Sequence, residues 1–283
     1  MPHALMTTSA FRQTVWRFYR AHGRHDLPWR KTRDPYKILV SEVMLQQTQV
    51  ERVIPFYRTF LKKFPTVRAL ARAPLSDVLK SWQGLGYNRR AKLLQDAAQE
   101  LARTPLSATR SNLVQRLEEL PGVGPYTARA VAAFAFNQNG IIIETNIRTA
   151  IIYHFFPKGN TTIYGSISDR QVEKVLAETL PQGKSREWYS ALMDYGAHLK
   201  KSGVRLNARS RHYAKQSRFA GSLREVRGAI LRELALGELA GAALTKLFSK
   251  SRHAQLRAAL AALMKEGLVR MRNRRYLLAE QVL

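Results

Sequence analysis

The sequence contains no cysteine among its 283 residues. This absence excludes disulfides, thiolate metal sites and cysteine-ligated iron–sulfur clusters. The seven histidines are scattered without the close spacing of zinc ligands, so we expect neither a metal nor another cofactor. No apolar run reaches the length of about 18 residues that a membrane-spanning helix needs, and the N-terminus, MPHALMTTSA, is too short and mixed for a signal peptide. We therefore expect a cytoplasmic, nucleoid-associated monomer without a membrane partner.

Acidic residues are also scarce. Twenty aspartates and glutamates stand against 47 lysines and arginines, which gives a formal net charge of +27. Self-repulsion of this size is costly unless a polyanion offsets it. An anionic membrane surface would serve, but nucleic acid is the better candidate because phosphates supply a strong, salt-dependent affinity. We expect a nucleic acid as the partner.

Helical periodicity dominates most of the chain, because apolar residues recur at spacings of three and four. Ser76-Asp77 and Ser168-Asp169 are typical of residues that precede a helix. The pattern predicts one all-helical region over residues 10–200. The predicted helices are Phe11–Tyr19, Tyr36–Met44, Val50–Phe60, Leu75–Trp82, Lys92–Leu101, Leu113–Leu120, Thr127–Phe136, Val172–Leu180 and Trp188–Leu199.

A basic segment, residues 200–221, follows this region. The stretch KKSGVRLNARSRHYAKQSRF carries seven lysines and arginines and no acid. A solvated linker would have the same composition, but the overall charge favours contact with DNA. The candidate contacts in this segment are Lys200, Arg209 and Arg211.

The pattern changes again in residues 222–283. Helices are expected over Leu223–Leu234, Gly241–Phe248 and His253–Lys265. Two short strands are expected over Gly267–Met271 and Arg275–Leu278, around a basic turn with Arg272 and Arg274. Three helices and a hairpin are the order of a winged-helix domain, in which the last helix and the wing contact DNA. A helical cap or a protein-interaction wing would be the alternatives. The predicted fold is thus all-α, with a small winged-helix-like α+β C-terminal domain.

A glycine-rich turn, Leu-Pro-Gly-Val-Gly, separates two of the predicted helices. Gly122 and Gly124 free the backbone for conformations that a side chain would forbid. The amides of Gly122, Val123 and Gly124 and those opening the next helix can then point at one anion. A plain helix–helix connection would look the same, but we favour a DNA phosphate site.

Two glutamates are candidates for an acid–base pair. The alternatives are a surface glutamate in an ordinary helix for Glu42 and a solvated helix start for Glu144. Glu42 lies among Val43, Met44 and Leu45, where loss of water would raise the pKa of its carboxyl group and keep it protonated. Glu144 follows an apolar run and precedes Asn146, a more polar setting at a helix N-terminus that would keep it ionised. Cleavage of a glycosidic bond to a purine needs such a pair: an acid for the leaving base and an anion for the sugar cation.

Two sequence motifs and an apolar run carry a resemblance to a known family. SEVMLQQT with the residues after it, then LPGVGPYTARAV, and then the apolar run into Glu-Thr-Asn resemble the helix-hairpin-helix (HhH-GPD) DNA glycosylases, and most of all the adenine DNA glycosylase (MutY-type) branch. The resemblance covers residues 10–200. It implies the helix-hairpin-helix glycosylase fold of two helical subdomains.

The resemblance also implies roles for individual residues. Glu42 matches the acid that protonates adenine, Glu144 the catalytic carboxylate, and Asn146 its neighbour. Tyr126 stands where the endonuclease III type has its Schiff-base lysine, so little or no strand nicking is expected. By the same match, Trp29, Arg30, Leu45 and Ser190 line the pocket of the flipped base, Gln47 and Tyr87 fill the gap in the stack, and Thr48 and Leu85 face the opposite base.

Four departures from the family pattern leave the substrate open. Glu replaces Asp at position 144, and Ser190 stands where Glu or Gln reads the adenine edge. The four cluster cysteines are absent, and the C-terminal domain is winged-helix-like where relatives carry a Nudix-like domain. The positions that match those cysteines are Lys200, Asn207, Ser210 and Gln216.

The resemblance thus implies a monofunctional glycosylase in base excision repair, acting on adenine opposite 8-oxoguanine. A glycosylase of the same fold for thymine or uracil opposite guanine is the first alternative. A catalytically silent protein that binds lesions or structured DNA is the second.

Overall fold

Helices form most of the chain, as the periodicity predicts. The computed structural model describes residues 6–106, 112–156, 167–206, 209–210 and 218–280. Within these ranges the α-helices are α1 (Thr8–His22), α2 (Pro35–Leu45), α3 (Val50–Lys63), α4 (Val67–Arg72), α5 (Leu75–Trp82), α6 (Arg89–Arg103), α7 (Leu113–Glu118), α8 (Pro125–Phe136), α9 (Thr145–Phe155), α10 (Asp169–Thr179), α11 (Ser185–Lys201), α12 (Leu223–Leu234), α13 (Gly241–Lys246) and α14 (His253–Lys265). None of the described helices has the length and apolar character that crossing a bilayer requires.

A small antiparallel sheet accompanies the last three helices. Its strands are β1 (Leu239–Ala240), β2 (Val269–Arg272) and β3 (Arg275–Leu278), in the order β1-β3-β2. The β2–β3 hairpin turns at Asn273 and Arg274, both with positive φ, the conformation that a two-residue hairpin turn demands. The predicted fold class, helical with a winged-helix-like α+β C-terminal domain, is confirmed; β1 was not predicted.

The two predicted helix starts have different outcomes. Ser168 is the N-cap of α10 and forms a capping box with Gln171, which confirms that start. The other start is wrong, because α5 already begins at Leu75 after Pro74, and Ser76 and Asp77 lie in its first turn.

The contacts within the chain divide it into two compact units. The first unit comprises Met1–Ile38 and Gly124–Lys215, and the second comprises Leu39–Val123 and Gln216–Leu283. Each unit therefore joins segments that are distant in sequence. The domain boundaries predicted at residues 200 and 222 follow chain order and stay predictions.

Each unit buries its own aromatic core. In the first unit, Phe11 packs edge-to-face on Trp188 with ring centroids 6.1 Å apart, and both side chains are fully buried. In the second unit, Phe60 packs edge-to-face on Trp82 at 5.8 Å. Burial of aromatic side chains of this size dominates the energy of a helical core. The packed core of each unit therefore fixes the helices that carry its polar residues.

Candidate active site

Glu42 lies near the C-terminal end of α2, in the second unit. Its neighbours in the sequence Val40, Val43 and Met44 are all buried, and Glu42 itself is only 6% exposed. The desolvated setting that the sequence predicts for this carboxyl group is therefore present. Leu45, the last residue of α2, is half-buried.

Two turns of the second unit carry residues in the left-handed backbone region. Gln47, after α2, has a φ of 55°, and Tyr87, before α6, has a φ of 49°. Non-glycine residues rarely adopt this conformation, which costs about 1 kcal/mol or more and persists only where the surroundings fix it. Both residues were predicted to fill the gap left by a flipped base. Their exposed or half-buried side chains suit that role, whereas Leu85 is 5% exposed.

Arg90, the second residue of α6, ties these two turns together. Its Nη1 donates to the carbonyl oxygens of Val43 and Gln46 at 2.7 and 2.6 Å, and its Nη2 donates to that of Gly86 at 3.0 Å. Nη2 also donates weakly to the Thr48 hydroxyl at 3.4 Å. Burial lowers the pKa of Arg90 to about 10, so the guanidinium stays charged at neutral pH and holds both turns in place.

Glu144 is the N-cap of α9, in the first unit. Its Oε1 accepts hydrogen bonds from the backbone amides of Asn146 and Ile147 at 2.7 and 2.9 Å, and the Thr145 hydroxyl donates to Oε2 at 3.1 Å. Amides at a helix N-terminus and the helix dipole both favour a negative charge. The structure therefore places Glu144 in the polar, helix-start setting that the sequence predicts.

Asn146 is held by a lysine from another helix of the same unit. Lys200 Nζ, at the end of α11, donates to Asn146 Oδ1 over 2.7 Å. Burial lowers the pKa of Lys200, while the nearby Glu144 carboxylate acts in the opposite direction. Close packing fixes this pair, because a Cβ on Gly196 would lie 2.0 Å from the Asn146 carbonyl oxygen.

Arg30, a predicted pocket residue, is part of a buried ion cluster around Asp194. Its Nη1 donates to Asp194 Oδ2 at 2.6 Å, and Arg24 Nε donates to Oδ1 at 2.7 Å. Burial alone would raise the pKa of Asp194, but the hydrogen bonds and charges of Arg30 and Arg24 lower it overall. Arg30 also donates to the carbonyl of Ser190 at 3.2 Å, and both Ser190 and Trp29 are buried.

Tyr126, in the first turn of α8, is half-buried and packs against the core of the first unit. A phenol and not an amine therefore stands at the position where the resemblance implies a Schiff-base lysine in bifunctional relatives.

The two glycines of the hairpin turn have different roles. Gly122 has a φ of 75°, and a Cβ there would come within 2.7 Å of the Leu93 side chain, so this position requires glycine. Gly124 is the N-cap of α8 with a φ of −88°, a conformation open to any residue, and a Cβ would meet open space. The expectation of special conformations at both glycines is wrong for Gly124. Its exposed backbone at a helix start still suits a phosphate.

The predicted basic contacts are scattered. Arg209 donates to the Phe156 carbonyl at 2.8 Å and so has a structural partner, whereas Arg211 lies outside the described residues. Arg272 and Arg274 are exposed at the β2–β3 turn, although Arg272 lies 3.8 Å from the Glu238 carboxylate.

The described part of the structure brings the predicted residues together in two groups. One comprises Gln47, Thr48, Leu85 and Tyr87 around Arg90, and the other comprises Glu144, Asn146 and Lys200. Sequence reasoning missed the roles of Arg90 and Asp194. A guanidinium next to the Gly-Tyr turn and an acid inside the apolar stretch WYSALMDYG were the available signals.

An iron–sulfur cluster does not fit the residues present. The chain has no thiolate donor, and Lys200, at the position of the first cluster cysteine, already hydrogen bonds to Asn146. Within the described ranges, no group of three His, Asp or Glu side chains is placed to hold a metal ion.

Relatives of known name cover most of this chain. An adenine DNA glycosylase from Buchnera aphidicola subsp. Baizongia pistaciae (strain Bp) is 36% identical over 196 residues, which are 68% of this chain and 53% of that protein. The adenine DNA glycosylase of Mycolicibacterium smegmatis is 38% identical over 181 residues, 62% of this chain and 59% of that protein. The chain thus spans little more than half the length of these relatives.

Solved structures share the fold. A thermostable thymine-DNA glycosylase aligns with a TM-score of 0.55 and 26% identity, over 73% of this chain and 96% of that chain. Endonuclease III in a non-covalent DNA complex aligns with a TM-score of 0.51 and 20% identity, over 69% and 86% of the two chains. Residues 40–182, just over half of the chain, match the family of base excision repair proteins to which the two sequence motifs point. With these motifs set on the fold described above, the chain belongs to the HhH-GPD superfamily of base excision DNA repair proteins.

Proposed function

We propose that the protein is a monofunctional DNA glycosylase that removes adenine opposite 8-oxoguanine from double-stranded DNA. The relatives named adenine DNA glycosylases support the base. The observation that carries the proposal is the Glu144 carboxylate, which two backbone amides hold at the start of α9 beside Asn146. A fixed anion of this kind can stabilise a sugar cation that forms during cleavage.

Two carboxyl groups have different roles in the proposed reaction. Glu42, buried and protonated, gives its proton to the departing base, and the electron pair of the N-glycosidic bond leaves with that base. The Glu144 carboxylate stabilises the oxocarbenium ion that remains. Water then adds to the sugar carbon and loses a proton, which leaves an abasic site.

Base flipping precedes this step. The target leaves the stack at a cost of a few kcal/mol, and Gln47 and Tyr87 fill the gap. Their strained backbones are already formed without DNA, since Arg90 holds both turns. A preformed wedge loses less conformational freedom on binding than a mobile one.

The proposal includes neither an iron centre nor a lyase step. The basic residues after α11 contact DNA phosphates, and the protein works as a monomer. The Tyr126 hydroxyl cannot form a Schiff base, so strand nicking should require added alkali.

A second candidate is removal of thymine or uracil opposite guanine. The structural likeness to a thymine-DNA glycosylase favours it, as does Ser190, which has no long polar group to read an adenine edge.

Single-turnover assays decide between these functions. The duplexes would pair adenine with 8-oxoguanine or guanine, and thymine or uracil with guanine, with and without alkali. The Glu42→Gln/Glu144→Gln double variant is the matched control for contaminating activity. Fastest excision of adenine opposite 8-oxoguanine supports the proposal, and fastest excision of a pyrimidine supports the second candidate. Tight binding to a lesion duplex with no abasic product would instead support a catalytically silent DNA-binding protein.

A further inference from the structure

Tyr87 has two guanidinium groups close to its ring, and they come from different parts of the second unit. Arg90 of α6 and Arg224 of α12 each place their guanidinium carbon 5.5 Å from the centroid of the Tyr87 ring. Arg224 Nη1 also donates a hydrogen bond to the Tyr87 hydroxyl at 2.8 Å. Both the ring and the hydroxyl of this residue are therefore held, and the hydroxyl is held by the C-terminal domain.

The backbone of Tyr87 is held separately. Its φ of 49° is an unfavourable conformation for a tyrosine, and the carbonyl just before it, that of Gly86, accepts from Arg90 Nη2 at 3.0 Å. Arg90 therefore sets the path of the loop, while Arg224 sets the direction of the side chain. The two arginines have different tasks at one residue.

The same loop has a second link to α12. Gln83 Nε2 donates to the carbonyl of Leu231 at 3.3 Å. The helix α12 is itself anchored within the C-terminal domain, because Arg227 pairs with Glu266 and Glu225 pairs with Arg252 at 3.0 Å. Arg224 thus projects from a fixed support, as a positioning residue needs to.

We propose that the C-terminal domain positions Tyr87 for insertion into the DNA stack and that Arg224 is the residue through which it acts. This inference rests on the proposed function, in which Tyr87 fills the gap left by the flipped base. The hydrogen bond and the cation–π contact keep the ring in one orientation before DNA arrives, so less freedom is lost when it enters the stack. The domain thereby contributes to recognition of a damaged pair as well as to general affinity.

The test uses the full chain and a short duplex with adenine opposite 8-oxoguanine and 2-aminopurine as its neighbour. The fluorescence of 2-aminopurine rises when its stacking is broken, so it reports insertion separately from excision. The variants are Arg224→Ala, Arg224→Lys and Tyr87→Phe, the last of which removes only the hydroxyl acceptor. Arg232→Ala, on the same helix and mostly exposed, is the matched control.

Arg224→Ala should lower the fluorescence rise and the single-turnover excision rate by about tenfold or more, the effect of losing one hydrogen bond from a charged donor. Its affinity for undamaged duplex should match that of the parent, and its melting temperature should fall by only a few degrees, because the fold keeps its core. Arg224→Lys should restore part of the loss. Combining Arg224→Ala with Tyr87→Phe should do no more harm than Arg224→Ala alone, because both remove the same hydrogen bond.

Parent-like fluorescence in both Arg224→Ala and Tyr87→Phe would overturn the inference. So would an Arg224→Ala variant that binds undamaged duplex more weakly with a shallower salt dependence, since Arg224 would then be a phosphate contact. The parent could excise no base and still give the expected 2-aminopurine signal, with a smaller rise for Arg224→Ala. In that case the proposed function fails and the positioning role of Arg224 stands.

Discussion

The end of α2 and the start of α9 each carry a glutamate, and the two carboxyl groups have opposite surroundings. Glu42 lies inside a helix among buried apolar side chains and is 6% exposed. Glu144 precedes a helix, is half-buried, and accepts two backbone amides and a hydroxyl. These surroundings suit the two roles proposed above, a proton donor at Glu42 and an anion at Glu144. The surroundings of each carboxyl group, more than the residue type, determine this difference.

Replacing either carboxyl group by an amide should have the largest effect. Glu42→Gln removes the proton source, and Glu144→Gln removes the anion while its amide oxygen can still cap α9. Each should lower the single-turnover excision rate by about 100-fold or more, because both groups act in the transition state of the proposed mechanism. Binding to a lesion duplex, measured by fluorescence anisotropy, should change little.

Parent-like rates in both variants would show that the two-carboxylate mechanism is wrong. Glu144→Asp is the matched control, since it keeps the charge and the cap but moves the carboxylate by one methylene.

The Gly196→Ala substitution should disturb the packing of α9 against α11 and leave the surroundings of α2 unchanged. The added methyl carbon would overlap the Asn146 carbonyl oxygen at 2.0 Å, so Gly196→Ala should lower the free energy of unfolding by about 3 kcal/mol or more. Denaturant melts would measure the loss. Gly228→Ala on α12 is the control, since a Cβ there meets nothing within 4 Å, and a loss of equal size in both would contradict the close approach of α9 and α11.

Replacing Arg90 should disturb the two turns that it holds, after α2 and before α6, and leave the surroundings of α9 unchanged. Arg90→Met leaves the carbonyls of Val43, Gln46 and Gly86 without their donor, and the free energy of unfolding should fall by about 2–3 kcal/mol. Arg89→Met is the control, because Arg89 is exposed on the same helix. Excision should fall in the Arg90 variant as well. An Arg90→Met protein with the stability and activity of the parent would show that Arg90 does not hold the two turns in place.

Lys200→Met should have the smallest effect, a loss of about tenfold in excision, since Asn146 loses one hydrogen bond from a charged donor. Burial lowers the pKa of Lys200 from the ordinary value of 10.5. A buried ammonium costs stability while it is charged, so this cost is relieved as pH rises through the lowered pKa. Thermal melts over the alkaline range should show this gain in the parent and not in the variant.

Local signals in the sequence predicted much of this structure. The bounds of Leu75–Trp82, Leu223–Leu234, His253–Lys265 and Arg275–Leu278 were right to the residue, because apolar spacing fixes an amphipathic helix or a hairpin without distant information. The carboxyl settings followed from their neighbours in the same way.

Features that depend on contacts between distant residues were not predictable. The two-residue strand β1 exists only by pairing with β3, and α4 is only six residues long. No local pattern reveals that Arg90 reaches carbonyls more than 40 positions earlier. Gly124 resembles Gly122 in sequence, yet only the turn geometry shows that one of them needs a positive φ.

The contact between Arg224 and Tyr87 joins residues 137 positions apart, and this distance sets an order of events during synthesis. A chain folds as it is made, at about 5–20 residues per second, so α5 and α6 leave the ribosome well before α12. Until α12 has followed, the Tyr87 ring has no partner from the C-terminal domain. The loop that would enter DNA therefore completes its contacts only after α12 has been made, and a nascent chain that already has α5 and α6 still lacks a fully arranged Tyr87 side chain.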